Sequence, residues 1–227
     1  MSSVPPPSVP PPAARERLLA SARRLFYGRG INATGIDTVL ADAGVAKGSM
    51  YHHFDGKQGL VLAYLRQELD LWRRRAELLD RPDRPAGERV GLLFSALAGS
   101  VDDGTFHGCP FTNAVIERPD DPAVGQVVAD YRQAFARHLG ALTGAPAGDP
   151  LVGHLMLLYD GAMTAAKLTH DSAAVRMAGT LAQKQTVGAL KLFPDRPAVL
   201  GSEHDVGGVP VQWVFERHRA TADEVDL

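Results

Sequence analysis

Residues 36–55 read IDTVLADAGVAKGSMYHHFD, and the way this stretch folds decides the reading of the whole chain. Ile36, Val39 and Leu40 fall at i, i+3 and i+4, which puts three apolar side chains on one helix face. Thr34 and Gly35 precede them; both suit the start of a helix, Gly less well than Ser or Thr. Gly44 closes that helix, because glycine takes positive φ without steric cost. Val45 plugs the gap before a second helix, Ala46 to Phe54. There Met50, His53 and Phe54 are expected to face inward, and Lys47, Ser49, Tyr51 and His52 outward. A cation, a hydroxyl, a phenol and an imidazole are groups that contact phosphates and base edges. Gly48 costs about 1 kcal/mol in a helix interior relative to Ala. Close approach to a sugar–phosphate chain would account for it. Two short helices about a tight turn, the second so decorated, form a helix-turn-helix that seats its second helix in the major groove.

The flanks agree. Ala13 to Arg29 carries Leu18, Leu19, Ala22, Leu25 and Phe26 at helical period, with Arg15, Arg17, Arg23, Arg24 and Arg29 as its charge. This helix braces the other two, making a three-helix unit. Asp55-Gly56-Lys57-Gln58 fits a capping box, in which Asp55 accepts from a backbone N–H and Gln58 reaches back. Lys57 at a helix N-terminus opposes the helix dipole, which a nearby phosphate would reconcile. The helix continues through Leu60, Val61, Tyr64, Leu65, Leu69 and Trp72 towards Leu79, long enough to link two domains.

The segment from about Ala13 to Trp72 resembles the DNA-binding domain of the TetR family of bacterial transcriptional regulators. Leu25-Phe26, Gly30, Ala43-Gly44-Val45, Lys47-Gly48-Ser49, Tyr51-His52-His53-Phe54, Lys57 and Leu60 carry the likeness. It implies that Thr34, Lys47, Ser49, Tyr51, His52 and Lys57 face DNA, the last near a phosphate. Gly35 and Gly59 depart from the family pattern, which has a Thr or Ser cap and a charged helix former there. Neither departure removes a contact group.

Net charge is −2 over 227 residues, so the chain is no general polyanion binder. The balance is uneven, however. Ala13 to Leu79 holds eleven Lys and Arg against seven Asp and Glu, a net +4 that leaves −6 elsewhere. A basic head on an acidic body fits localised DNA contact. The single cysteine, Cys109, excludes an intramolecular disulfide. No apolar run approaches ~18 residues, and the N-terminus lacks a signal peptide's basic start and apolar core. These features predict a cytoplasmic, nucleoid-associated protein with no membrane contact.

Met1 to Pro12 is proline-rich and expected to be a disordered or polyproline II tail. The head is assigned to 13–73 and a helical body to 74–193, with 194–227 left without a structural reading. In the body, Glu88–Val101, Cys109–Glu117, a helix from Asp121 or Pro122 to Leu142, a helix capped by Asp149 with Pro150 first, and Ser172–Phe193 carry apolar residues at helical period. The expected class is therefore all-α: an N-terminal three-helix helix-turn-helix domain, then a helical-bundle effector and dimerisation domain. The last two helices, about 149–169 and 172–193, are apolar on more than one side. Gly161-Ala162 and Ala165-Ala166 permit close approach there. Two such helices from each of two chains would make a four-helix homodimer interface, which the resemblance also implies. Twofold symmetry would space the reading helices near ~34–36 Å and select an inverted-repeat double-stranded DNA operator.

Phe106-His107-Gly108-Cys109-Pro110-Phe111-Thr112-Asn113-Ala114 and Leu157-Leu158-Tyr159-Asp160-Gly161-Ala162 resemble a TetR subgroup with GCPF-type and LLxDGA segments in the effector domain. Trp72, Phe94, Phe106, Cys109, Phe111, Asn113, Met156, Tyr159 and Met163 are candidates to line a pocket for a small apolar effector; plain core is the competing reading. His107 and Cys109 form an H-x-C without further ligand spacing, so a metal site or a Cys109 redox switch is the lesser alternative. No GxSxG, HExxH, P-loop or paired-carboxylate helix motif supports an enzyme, and no cofactor is implied. The functional expectation is a ligand-responsive regulator that represses in the manner of the family; a regulator without effector is the alternative.

Overall fold

The computed structural model describes residues 13–146 and 148–192. The expectations for Met1–Pro12 and for 194–227 lie outside the described residues. Within them the protein is all-α: α1 (Ala14–Arg29), α2 (Ile36–Ala43), α3 (Lys47–His53), α4 (Gly56–Leu79), α5 (Ala86–Asp102), α6 (Pro110–Glu117), α7 (Pro122–Thr143), α8 (Pro150–Thr169) and α9 (Ala173–Leu192).

The turn between α2 and α3 forms for the reason its sequence suggests. Gly44 sits at φ 60, ψ 42, the left-handed conformation that glycine takes most cheaply. Its N–H donates to the Ala41 carbonyl, and the Val45 N–H donates to Leu40. Together these bonds close the last turn of α2 as a Schellman motif. Arg17 of α1 adds a side-chain cap, its Nε donating to the Ala43 carbonyl at 3.1 Å. Leu18, Ala22, Val39, Met50 and Leu60 are fully buried at the junction of α1 to α4. Each large side chain among them contributes about 1.5–3 kcal/mol by leaving water. Glu68 of α4, itself buried, is paired with Arg23 of α1 at 2.5 Å.

One expectation about α4 fails. Asp55 makes no side-chain cap bond, and Gln58 does not reach back. Its amide is taken by Arg118 and Asp121, 60 and 63 positions away in sequence. Charged partners at fixed geometry outcompete a local neutral cap bond.

Two of the later helices begin at Asp-Pro, and the Asp149 cap of α8 is the one the sequence predicts. Asp121 accepts from the N–H groups of Ala123 and Val124 at the start of α7, and Asp149 accepts from Leu151 at the start of α8. α9 packs most extensively on α5 and then on α8. Gly179 permits the α5 crossing: a Cβ there would stand 2.8 Å from Phe94 Cβ.

Candidate nucleic-acid interface

α3 is only seven residues long, and burial fixes its orientation. Met50 is fully buried and Phe54, its C-cap, is 6% exposed. These two anchors turn Lys47, Gly48, Tyr51 and His52 outward, and all four are exposed. Ser49 is half-buried at the edge of this row. Tyr51 is 57% exposed, unusual for so large an aromatic side chain. Gly48 has open space where a Cβ would stand, so nothing among the described residues demands glycine there.

Two residues sit elsewhere than expected. Thr34 is buried, and its hydroxyl donates to the Gly30 carbonyl at 2.7 Å. It braces the loop before α2 rather than facing outward, because a buried hydroxyl needs a partner and the carbonyl is nearby. His53 is displaced in the opposite sense: expected inward, it is exposed, with its ring 5.0 Å from that of His52. Met50 and Phe54 alone of the three fill the space under α3.

Lys57, in the first turn of α4, is half-buried. Burial and then the Arg118 charge push its pKa down, with Glu117 opposing. Two further residues belong to this surface and were not among the sequence candidates. Asp37 of α2 has an exposed carboxylate 3.9 Å from the Lys47 ammonium. Arg15 of α1 places its guanidinium 5.4 Å from the centre of the Phe54 ring. Both cross between helices, so the sequence carries no local signal for either.

Known proteins share this arrangement. Residues 18–64 match the family model described as bacterial regulatory proteins, tetR family. The HTH-type transcriptional regulator YxaF of Bacillus subtilis is 42% identical over 134 residues, which span 56% of this chain and 70% of that protein. A solved TetR-family transcriptional regulator from Streptomyces coelicolor is 34% identical, covers 78% of this chain and 94% of its own, and superposes with a TM-score of 0.66. The chain belongs to the TetR family. This TetR-family protein is a DNA-binding transcription regulator, with the helix-turn-helix at α2 and α3. It is also 36% identical over 91 residues to the transcriptional repressor KstR2 of Mycolicibacterium smegmatis, a match that spans 40% of this chain and 44% of that repressor.

The candidates for an effector pocket come together only in part. Phe94, Cys109, Phe111 and Tyr159 are buried, while Trp72, Phe106, Asn113, Met156 and Met163 are half-buried. Tyr131 and Phe135 of α7, absent from the sequence candidates, join them. The Phe111 and Tyr131 rings stack at 4.0 Å, and Trp72 sets its edge against Tyr131 and Phe135 at 5.4 and 5.8 Å. Burial pushes the phenols of Tyr131 and Tyr159 well up, so both stay neutral. A separate cavity of about 190 Å³ lies between α5 and α9, and Phe94 alone of the candidates lines it. His107 and Cys109 are engaged apart: the His107 ring meets Tyr27 edge-on at 5.2 Å, and Cys109 is a buried thiol at the start of α6.

Proposed function

We propose that this regulator is a repressor that binds an inverted-repeat operator as a homodimer and releases it when a small apolar effector enters the body. The outward row of α3 carries the reading. Lys47, Tyr51 and His52 are presented while Met50 and Phe54 are sunk into the core. Gly48, with open space beside it, lets the sugar–phosphate chain approach the helix. Ser49 and Lys57 contribute at the margins, Lys57 to a phosphate. The DNA-binding unit is then 13–73 and the effector and dimerisation unit 74–193.

The dimer is supported by an apolar face that the described residues leave uncovered. Leu157 and Leu168 on α8 are 71% and 77% exposed, and Met177 and Leu181 on α9 are 64% and 45% exposed. Gly161, also exposed, lies on the α8 face between the two leucines. Such faces mark association sites in otherwise well-packed proteins. The effector would enter among Trp72, Phe111, Tyr131, Phe135 and Tyr159, where Trp72 meets Tyr131 and Phe135 edge-on and is itself only half-buried.

A second reading keeps the operator and drops the effector. The stacked contact of Phe111 on Tyr131 favours it, since a filled core offers no ready volume. Selection of bound sequences from a random duplex pool tests the shared part. The expected product is a twofold repeat whose half-site centres are about one helical turn apart. Enrichment of no sequence overturns it.

A further inference from the structure

The DNA-binding unit is held to the rest of the molecule at a polar corner where α6 ends and α7 begins. Glu117, the last residue of α6, accepts from the Asn32 backbone N–H at 2.6 Å, and its carbonyl accepts from Asn32 Nδ2 at 2.8 Å. The chain approaches Glu117 closely at Gly30, where a Cβ would stand 3.2 Å from both carboxylate oxygens. Arg118 donates to Gln58 Oε1 and, at 3.2 Å, to Asp121 Oδ2. Gln58 Nε2 donates to that same oxygen at 2.5 Å. Asp121 meanwhile caps α7 through its other oxygen. One carboxylate thus fixes the start of α7 and, through Gln58, the start of α4. The opposite end of α6 is tied as well: Tyr27 donates to the Gly108 carbonyl at 3.0 Å and accepts from the His107 N–H at 3.1 Å.

The mechanical consequence follows from the length of α4. Its 24 residues make a rod of about 36 Å. A tilt of roughly 5° about the far end moves its start by about 3 Å, close to the ~3.4 Å step of the duplex. A lone rod would not hold the reading helix to that tolerance. Anchors beside the rod, at Asn32 and Gln58, oppose such a tilt.

We propose that Gln58, Glu117 and Arg118 are positioning residues that set the orientation of the DNA-binding unit and so select the spacing between operator half-sites. The proposal rests on the dimeric operator reading above. None of the three need touch DNA for this role. Their removal should leave the half-site sequence unchanged and relax the spacing.

The test uses the full chain and duplexes carrying the selected half-sites, with the spacer lengthened or shortened by one and two base pairs. Affinity for a duplex with a single half-site is measured alongside. Wild type should prefer one spacing by tenfold or more. Glu117→Ala and Gln58→Ala should keep the single half-site affinity while their spacing preference shrinks to threefold or less. Arg118→Ala, which removes the bonds to Gln58 and Asp121, is a further variant with the same expectation should either of these fail to fold. Variants that fold and keep the wild-type spacing profile overturn the proposal, as do variants that lose single half-site affinity in step. A wild-type protein that binds the half-site without any spacing preference overturns the dimeric operator reading, and this proposal with it.

Discussion

Thr34 and Lys47 show how burial separates two residues that the sequence groups together. Thr34 donates its hydroxyl inward to Gly30 and Lys47 projects outward, 62% exposed. Thr34→Val should therefore cost about 1 kcal/mol of stability by removing one buried hydrogen bond. Duplex affinity of the folded protein should stay unchanged; denaturant melts and a binding isotherm check the two halves. Lys47→Ala should do the reverse. Stability should hold, while the slope of log affinity against log salt becomes shallower by about 0.9 for each phosphate no longer neutralised, or about 2 for the dimer. A slope equal to wild type would remove Lys47 from the interface. Asp37, 3.9 Å from Lys47, tempers the local positive charge and belongs in the same titration.

The helices themselves were legible in the sequence, because the signals that define them are local. Apolar residues recur at helical period along α1, α4, α5, α7 and α8, and Asp121-Pro122 and Asp149-Pro150 open two helices. Gly44 ended α2 as its backbone freedom allows. What the sequence could not carry is competition from distant partners. Gln58 has the spacing of a capping residue, yet Arg118 and Asp121 hold it. Tyr131 and Phe135 read as ordinary inward residues of α7, and only packing brings them to Phe111 and Trp72. His138, on the same helix, is half-buried by that packing. Its Nε2 has no hydrogen-bond partner among the described residues, and its ring stands 5.9 Å from Trp72. Burial lowers its pKa, with Asp80 opposing and Arg89 adding to the drop. The unfolded chain then binds more protons than the folded one below the ordinary histidine value of about 6.5. Stability is full above that pH and is lost as pH falls through the folded value. Melting temperatures between pH 8 and pH 5 should decline on the acid side, and His138→Phe should flatten the decline. The lowered carboxylates Asp42, Asp102 and Asp121 act only below about pH 4 and leave this window clear.

At the scale of the whole molecule, the described residues leave two surfaces uncovered: the outward row of α3 and the apolar face of α8 and α9. Each explains the other if the molecule works as a pair, because one reading helix per half-site binds weakly and two held in register bind together. Leu157→Lys places a charge on the apolar face at an exposed position, where the monomer fold tolerates it. The variant should sediment as a monomer and keep its helicity; a dimer as tight as wild type would move the interface elsewhere. DNA recognition, on this reading, depends on α3 presenting Tyr51 and its neighbours while Met50 and Phe54 hold the helix in place. The affinity of Tyr51→Ala for the selected operator at fixed salt, read beside circular dichroism, is the decisive measurement. A weakening of about tenfold or more is expected, as for one direct base or backbone contact in each half-site, with helicity and melting temperature unchanged. Wild-type affinity in that variant would contradict the assignment of α3 as the reading helix.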